Sequence, residues 1–456
     1  MPIRTIVWLL GVGLLAGAVF ASEPKLNEPK PVEPESAEKG LPGENPNPVH
    51  LKRRLVQPLS AMAKLGKEIF FDASLSSSGK MACVSCHSPD HAYGPPTDAP
   101  VMLGGPNLTM QGARAVPSLT YLERQPDFSI GPEKEDVDDN AIPLTQQVEA
   151  GKTAVRVEKI ATQTAQTANI VPQGGLFWDG RADTLQFQAI GPLLDPREMD
   201  GGSVEIIAEK LRHAPYAQKF AALFGPNVLK DTKLLVAEAQ FAVGRYQIEE
   251  PSFHPYTSKY DYWLEGKARL SESEMRGLKL FNDPQKANCA GCHPAQPSRD
   301  GFPPLFTDFQ YEALGAPRNL ALDDTRDPNY FDLGVCGPIR KDIAEQTQFC
   351  GMFKTPTLRN TIVRRSYLHN GVFHTLQEVM DFYNFRDTNP DKVYPVASDG
   401  KVAKYNDIPA QYHANVDVAD APFNRHPGDA PAMTDQDEAD IIAFLKTLQD
   451  GYKPEE

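Results

Sequence analysis

Cysteine and histidine recur in one arrangement at two places in the chain. Cys83-Val84-Ser85-Cys86-His87 sets two thiols three positions apart with an imidazole next in line, and Cys289-Ala290-Gly291-Cys292-His293 repeats it. Covalent attachment of a c-type haem needs this grouping. The thiols add across two vinyl groups, and the histidine, carried on the same turn, becomes the proximal iron ligand. A redox dithiol or half of a zinc site uses the cysteines alone. Two copies, each with its histidine, favour a protein with two haems.

The remaining cysteines, Cys336 and Cys350, are close in sequence and belong to no zinc pattern. In an oxidising compartment they are expected to pair and close a loop; two buried free thiols are the alternative. The N-terminus points to such a compartment. Arg4 precedes an apolar run from Ile6 to Phe20, and Val19-Phe20-Ala21 offers a cleavage site. Residues 1–21 therefore read as a signal peptide, which predicts a periplasmic protein. The run is short for a membrane anchor, the other reading, since a span needs about 20 residues. No later segment is apolar enough to cross a bilayer, so no stable membrane span is expected after cleavage. A formal net charge of -14 argues against nucleic acid as a partner.

The elements that would position the two motifs repeat as well. Ser60 to Phe71 has helical spacing of Met62, Leu65, Ile69 and Phe70. Before the second motif, Ser273 is placed to cap a helix carrying Met275, Leu278, Leu280 and Phe281. This degenerate repeat predicts a mainly α fold of two tandem cytochrome c-type haem domains with long ordered loops. Thr434 and Asp437 form a capping-box pattern for a last helix, whose apolar face is suited to pack on the helix before a motif. Residues 22–57 are rich in Pro, Glu, Lys and Asn and read as a flexible leader. The N-terminal domain is set at 58–250 and the C-terminal domain at 251–452. Val204 to Phe224 and Leu234 to Tyr246 read as helices closing the first domain. The polar stretch from Ile130 to Asn169 reads as a solvated excursion.

Further stretches carry a resemblance. Leu65-Gly66-Lys67-Glu68-Ile69-Phe70-Phe71-Asp72, Phe177-Trp178-Asp179-Gly180-Arg181, Pro196-Arg197-Glu198-Met199, Phe353-Lys354-Thr355-Pro356-Thr357-Leu358-Arg359-Asn360 and Ser366-Tyr367-Leu368-His369-Asn370-Gly371 together resemble the bacterial dihaem cytochrome c peroxidase/MauG family. The resemblance implies that hydrogen peroxide meets the N-terminal haem, on His87, and that the C-terminal haem, on His293, relays or stores electrons. It places Trp178 between the haems, Glu198 as the group that moves the peroxide proton, and Gln188 as its orienting partner. A buried indole and two solvent-facing polar side chains are the plainer readings of these three. The prolines at Pro192 and Pro196 suggest that Gln188 and Glu198 share a rigid loop.

Axial ligands decide the branch. No histidine lies near Asn107, upstream of Gly112-Ala113-Arg114, where members needing reductive activation carry a distal ligand. His91 is only four residues beyond His87 and is read as a loop histidine. Fourteen residues past His369 the family pattern reaches Tyr383, which resembles the tyrosine-ligated MauG-like branch; Met380, one helical turn earlier, competes, and a plain core tyrosine is the third possibility. Calcium between the haems belongs to the family pattern, but Ala115 stands where its asparagine donor would be, which puts that ion in doubt. The implied activity is reduction of peroxide with electrons from a small redox protein, a cytochrome c or cupredoxin. The alternative is use of peroxide-derived high-valent iron to oxidise side chains of a protein substrate. A pure electron carrier is the third reading, and would need both irons closed by strong protein ligands.

Overall fold

In the computed structural model, which describes residues 42–132 and 170–454, each cysteine motif follows a helix whose glycine is pressed against a second helix. Ser60 caps Ala61–Phe70 by accepting from the Ala63 N–H. The helix turns Leu65, Gly66, Ile69 and Phe70 inward against Thr232–Glu249. A Cβ on Gly66 would meet the Ala242 carbonyl, so only glycine lets the two backbones come this close. The second copy does the same, with Gly277 of Glu272–Phe281 set against the Asp440 carbonyl of Asp435–Lys446. Gly66→Ala or Gly277→Ala is expected to cost about 1–3 kcal/mol through overpacking, read as a lowered thermal midpoint.

Two apolar clusters follow from these pairs. One gathers Leu65, Phe70, Leu211, Phe220, Tyr246 and Phe253; the other gathers Tyr260, Trp263, Phe281, Phe306, Phe444 and Leu448. Edge-on ring contacts run through both, Phe70 to Phe253 at 6.0 Å and Phe281 to Phe444 at 5.1 Å between centroids. The described chain is mainly helical, with three two-stranded antiparallel ribbons. No helix among the described residues is long and apolar enough to cross a membrane.

Local chemistry moved several boundaries. The second pre-motif helix is capped by Ser271 rather than Ser273. Glu274, three residues after Ser271, returns its carboxylate to the Ser271 N–H at 2.6 Å and closes a capping box. Ser273 has Arg276 at that offset, which cannot accept, and its hydroxyl donates to Asp440 instead. The Thr434 box forms as expected. Val204 to Phe224 is two helices, Val204–His213 and Ala217–Phe224, parted at Pro215. Part of the expected leader is held down. Gly43 accepts from the Leu270 N–H at 2.9 Å and the Trp263 indole at 3.0 Å, and Leu51 joins the second apolar cluster. Composition marks 22–57 as polar but does not register a backbone docked by a few bonds.

The signal segment 1–21, residues 22–41 and most of the polar excursion, 133–169, lie outside the described residues. The ends of that excursion pair with each other, Ser129–Pro132 against Ile170–Gln173. A bridge from Gln173 to Gln310 carries this ribbon to a second one, Tyr311–Glu312 against Phe353–Lys354. The Tyr311 hydroxyl, wholly buried, donates to the Gly174 carbonyl at 2.8 Å.

Candidate functional site

Each motif is a single helical turn, Cys83–Cys86 and Cys289–Cys292, with its histidine at the C-terminal end. The two histidines are held alike. His87 Nδ1 donates to the Tyr93 carbonyl at 3.0 Å, and His293 Nδ1 donates to the Phe306 carbonyl at 2.8 Å. With Nδ1 carrying the proton, Nε2 is the lone-pair nitrogen in both rings. Burial lowers each imidazole to about 4, so both are neutral and able to bind iron at neutral pH. Burial pushes the Cys83, Cys86 and Cys289 thiols up to about 12. That is the reverse of an activated dithiol, whose thiolate is stabilised.

The motifs open on one cavity of about 1100 Å³, lined by Cys86, His87, Cys289, Cys292 and His293. That exceeds the roughly 300–1,000 Å³ of an ordinary ligand pocket. Trp178 also lines it, with its indole N–H on the Ala115 carbonyl at 2.8 Å. Buried neutral imidazoles, paired thiols and a large cavity between them fit two haems.

Glu198 and Gln188 line the same cavity as His87. They do not share a loop as expected. Gln188 sits within the helix Leu185–Leu194, which Thr184 caps and which accommodates Pro192 near its end. Glu198 lies on the turn beyond, its N–H on the Asp195 carbonyl at 3.0 Å and its own carbonyl accepting from the Gly105 N–H at 2.8 Å. Burial, aided by Asp195 and opposed by Arg181 and Arg197, raises the Glu198 carboxyl to about 7.

At the second motif Tyr383 and Met380, both on Leu376–Phe385, line the cavity. Burial beside the cysteine pair raises the Tyr383 phenol, and its ring packs on Phe423 at 5.2 Å. His91 turns to the Ser88 hydroxyl, Nδ1 to Oγ 3.2 Å. Cys336 and Cys350 are joined in a disulfide. At the place where the family pattern would put calcium, Ala115 has no side-chain donor and its N–H is on the His369 carbonyl at 2.7 Å. The Arg364 guanidinium occupies the next carbonyl, Val116, at 2.9 Å. These residues fit a calcium ion poorly.

Residues that spacing did not single out stand around Trp178. Arg114 grips Asp332 with two bonds, 2.6 and 2.7 Å, and Asp179 with a third at 2.7 Å. His369 stacks on Phe353 at 3.5 Å, and its buried Nε2 has no hydrogen-bond partner. Lys354 joins the wall through its backbone N–H on the Trp178 carbonyl, 2.9 Å. These residues come from distant segments; Arg114, Asp179, Phe353, Lys354 and His369 lie inside segments that the family resemblance draws on, and Asp332 had no signal in the sequence.

A family profile described as di-haem cytochrome c peroxidase matches residues 60–269. The methylamine utilization protein MauG of Paracoccus denitrificans is 30% identical over 404 residues, which cover 86% of this chain and 90% of that one. The chain belongs to the di-haem cytochrome c peroxidase family. As a di-haem peroxidase it is an oxidoreductase with two haems. The cytochrome c551 peroxidase of Nitrosomonas europaea is 28% identical over 85% of this chain and 88% of its own. Among solved structures, the diheme peroxidase BthA of Burkholderia thailandensis aligns with a TM-score of 0.73 at 34% identity, over 90% of this chain and 94% of that one.

Proposed function

We propose that this di-haem peroxidase is exported to the periplasm and reduces hydrogen peroxide to water with electrons from a small redox protein, a cytochrome c or cupredoxin. The balance is one peroxide, two electrons and two protons to two waters. Residues 58–250 and 251–452 form tandem haem domains, with thioether links at Cys83 and Cys86 and at Cys289 and Cys292. His87 and His293 are the proximal ligands. The apolar run from Ile6 to Phe20 and the Cys336–Cys350 disulfide support export to an oxidising compartment.

The observation that carries this reading is Glu198, raised to about 7 on the cavity wall that also holds His87 and Gln188. Haem iron, when bound, supplies electrons and an open coordination position for peroxide. Glu198 takes the proton from the inner peroxide oxygen and returns it to the departing one; a group near half-ionised at neutral pH serves both transfers. The Gln188 amide orients the peroxide. Trp178, on the same cavity wall and tied to Ala115, shortens the electron's path from the second haem. The test is to mix the diferric protein with one equivalent of peroxide in a stopped-flow spectrometer. Reaction without prior reduction supports an open first haem. Inertness until one electron is added would count against it and make His91 the first residue to change.

A second reading, oxidation of side chains on a partner protein, is favoured by Tyr383 and by the similarity to MauG. A phenolate at the second iron lowers its potential relative to a thioether. Tyr383→Phe is expected to change the optical and EPR spectra of the second haem while leaving the first unaltered. Identical spectra would pass the ligand role to Met380.

A further inference from the structure

Peroxide chemistry leaves one pair of groups on the cavity wall without a task. Lys354 Nζ donates to the Gly175 carbonyl at 2.6 Å and to Gln125 Oε1 at 3.1 Å. An ammonium only donates, so this contact fixes which end of the Gln125 amide faces the lysine. Gln125 Nε2 is therefore turned elsewhere, and it is buried with no acceptor. Both residues line the cavity. Among the described residues, Asp179 is the carboxylate that acts on Lys354, and it is already held by Arg114 at 2.7 Å and Arg181 at 2.8 Å. Burial outweighs its pull and lowers Lys354 to about 7.

A buried ammonium and a buried amide donor cost free energy unless an acceptor arrives with the cavity's occupant. The two haems of this family bring one, since each carries propionate arms that are anionic at neutral pH. We propose that Lys354 and Gln125 form a clamp for one haem propionate. Nζ makes the charge-assisted bond to one oxygen of that carboxylate and Nε2 donates to its other oxygen. The strand Phe353–Lys354 sets the clamp one residue from the bridging indole, because the Lys354 N–H is bonded to the Trp178 carbonyl. A haem held there would have the Lys354 ammonium beside its carboxylate, and positive charge close to a haem would favour the reduced iron. The inference rests on the family's two haems and not on which substrate is oxidised.

The test is a spectroelectrochemical titration of both haems in the holoprotein, without peroxide. Lys354→Gln, with both haems bound, should lower the equilibrium constant for reducing one haem about tenfold, a fall of about 59 mV. Lys354→Arg should restore most of it, and Gln125→Leu should move the same haem in the same direction by less. Titrations of Lys354→Gln that overlay the wild type would overturn the clamp. Should that variant fail to load haem, infrared spectra of wild-type protein carrying haem with 13C-labelled propionates decide the matter. One carboxylate band displaced from its position in aqueous haem is expected. Bands matching hydrated propionate for every arm would remove the proposal, whatever the protein does with peroxide.

Discussion

Glu198→Gln should leave both haems attached and slow peroxide cleavage by about 10²–10⁴-fold, the usual loss when a positioned acid–base group is removed. The amide keeps the shape and the hydrogen-bonding reach of the carboxyl but cannot accept the peroxide proton. The wild-type pH profile gives the argument a second edge. Burial, with Asp195, raises the Glu198 carboxyl to about 7, against the pull of Arg181 and Arg197. Below pH 7 the group is increasingly protonated and unable to act as base, so the rate of peroxide cleavage should rise with pH through neutrality. The Glu198→Gln variant should lack that limb. Stopped-flow rates between pH 5.5 and 8.5, with haem content from the Soret band, check both parts. A variant as fast as wild type would remove Glu198 from the mechanism.

The two cysteine–histidine motifs were legible because the chemistry they would serve is local. Two thiols and an imidazole must lie on one turn, so spacing alone reveals them, and the structure sets both turns on the wall of one cavity. The helix before each motif was legible for a related reason. Gly66 and Gly277 must sit against a neighbouring backbone, and the apolar positions around them keep a helical period. Gln188 shows where local reasoning failed. Pro192 and Pro196 suggested a loop, yet Pro192 is tolerated inside Leu185–Leu194, which Thr184 caps and which packs on Thr232–Glu249. Ser271 shows a smaller failure: both serines precede the apolar positions, and Ser271 has a carboxylate three residues on to close the box, whereas Ser273 has Arg276. The Arg114 network and the Lys354–Gln125 pair could not be read from spacing at all. Each joins residues more than sixty positions apart, and what makes them notable is burial, which only the folded chain displays.

Arg359 illustrates how much a wholly buried charge contributes once its partner is in place. Its guanidinium donates to both oxygens of Asp261, at 2.6 and 2.9 Å, and to the Pro304 carbonyl at 2.7 Å. Neither side chain of the ion pair has any exposure. Tyr121 and Tyr256 lie within 4.9 Å of the cation, so the charge is enclosed by aromatic faces as well. Burial alone would raise the Asp261 carboxyl, but Arg359 and Ser258 more than offset it and hold it below the usual value. The pair's contribution is thus present above the ordinary carboxylate range and is lost only as the pH falls below it. Arg359→Met removes the cation at every pH and strands Asp261 without its counter-charge. The expected cost is about 3–5 kcal/mol. With the proposed domain 251–452 as the unit that melts, the thermal midpoint should fall by roughly 6–20 °C. Adding Asp261→Leu should recover much of that loss, because replacing both ions by apolar groups removes the stranded charge. Calorimetry on the two proteins checks this. If the single variant melted within a degree or two of wild type, water would have to reach Asp261, and the enclosure by Tyr121 and Tyr256 would not be as tight as the geometry requires.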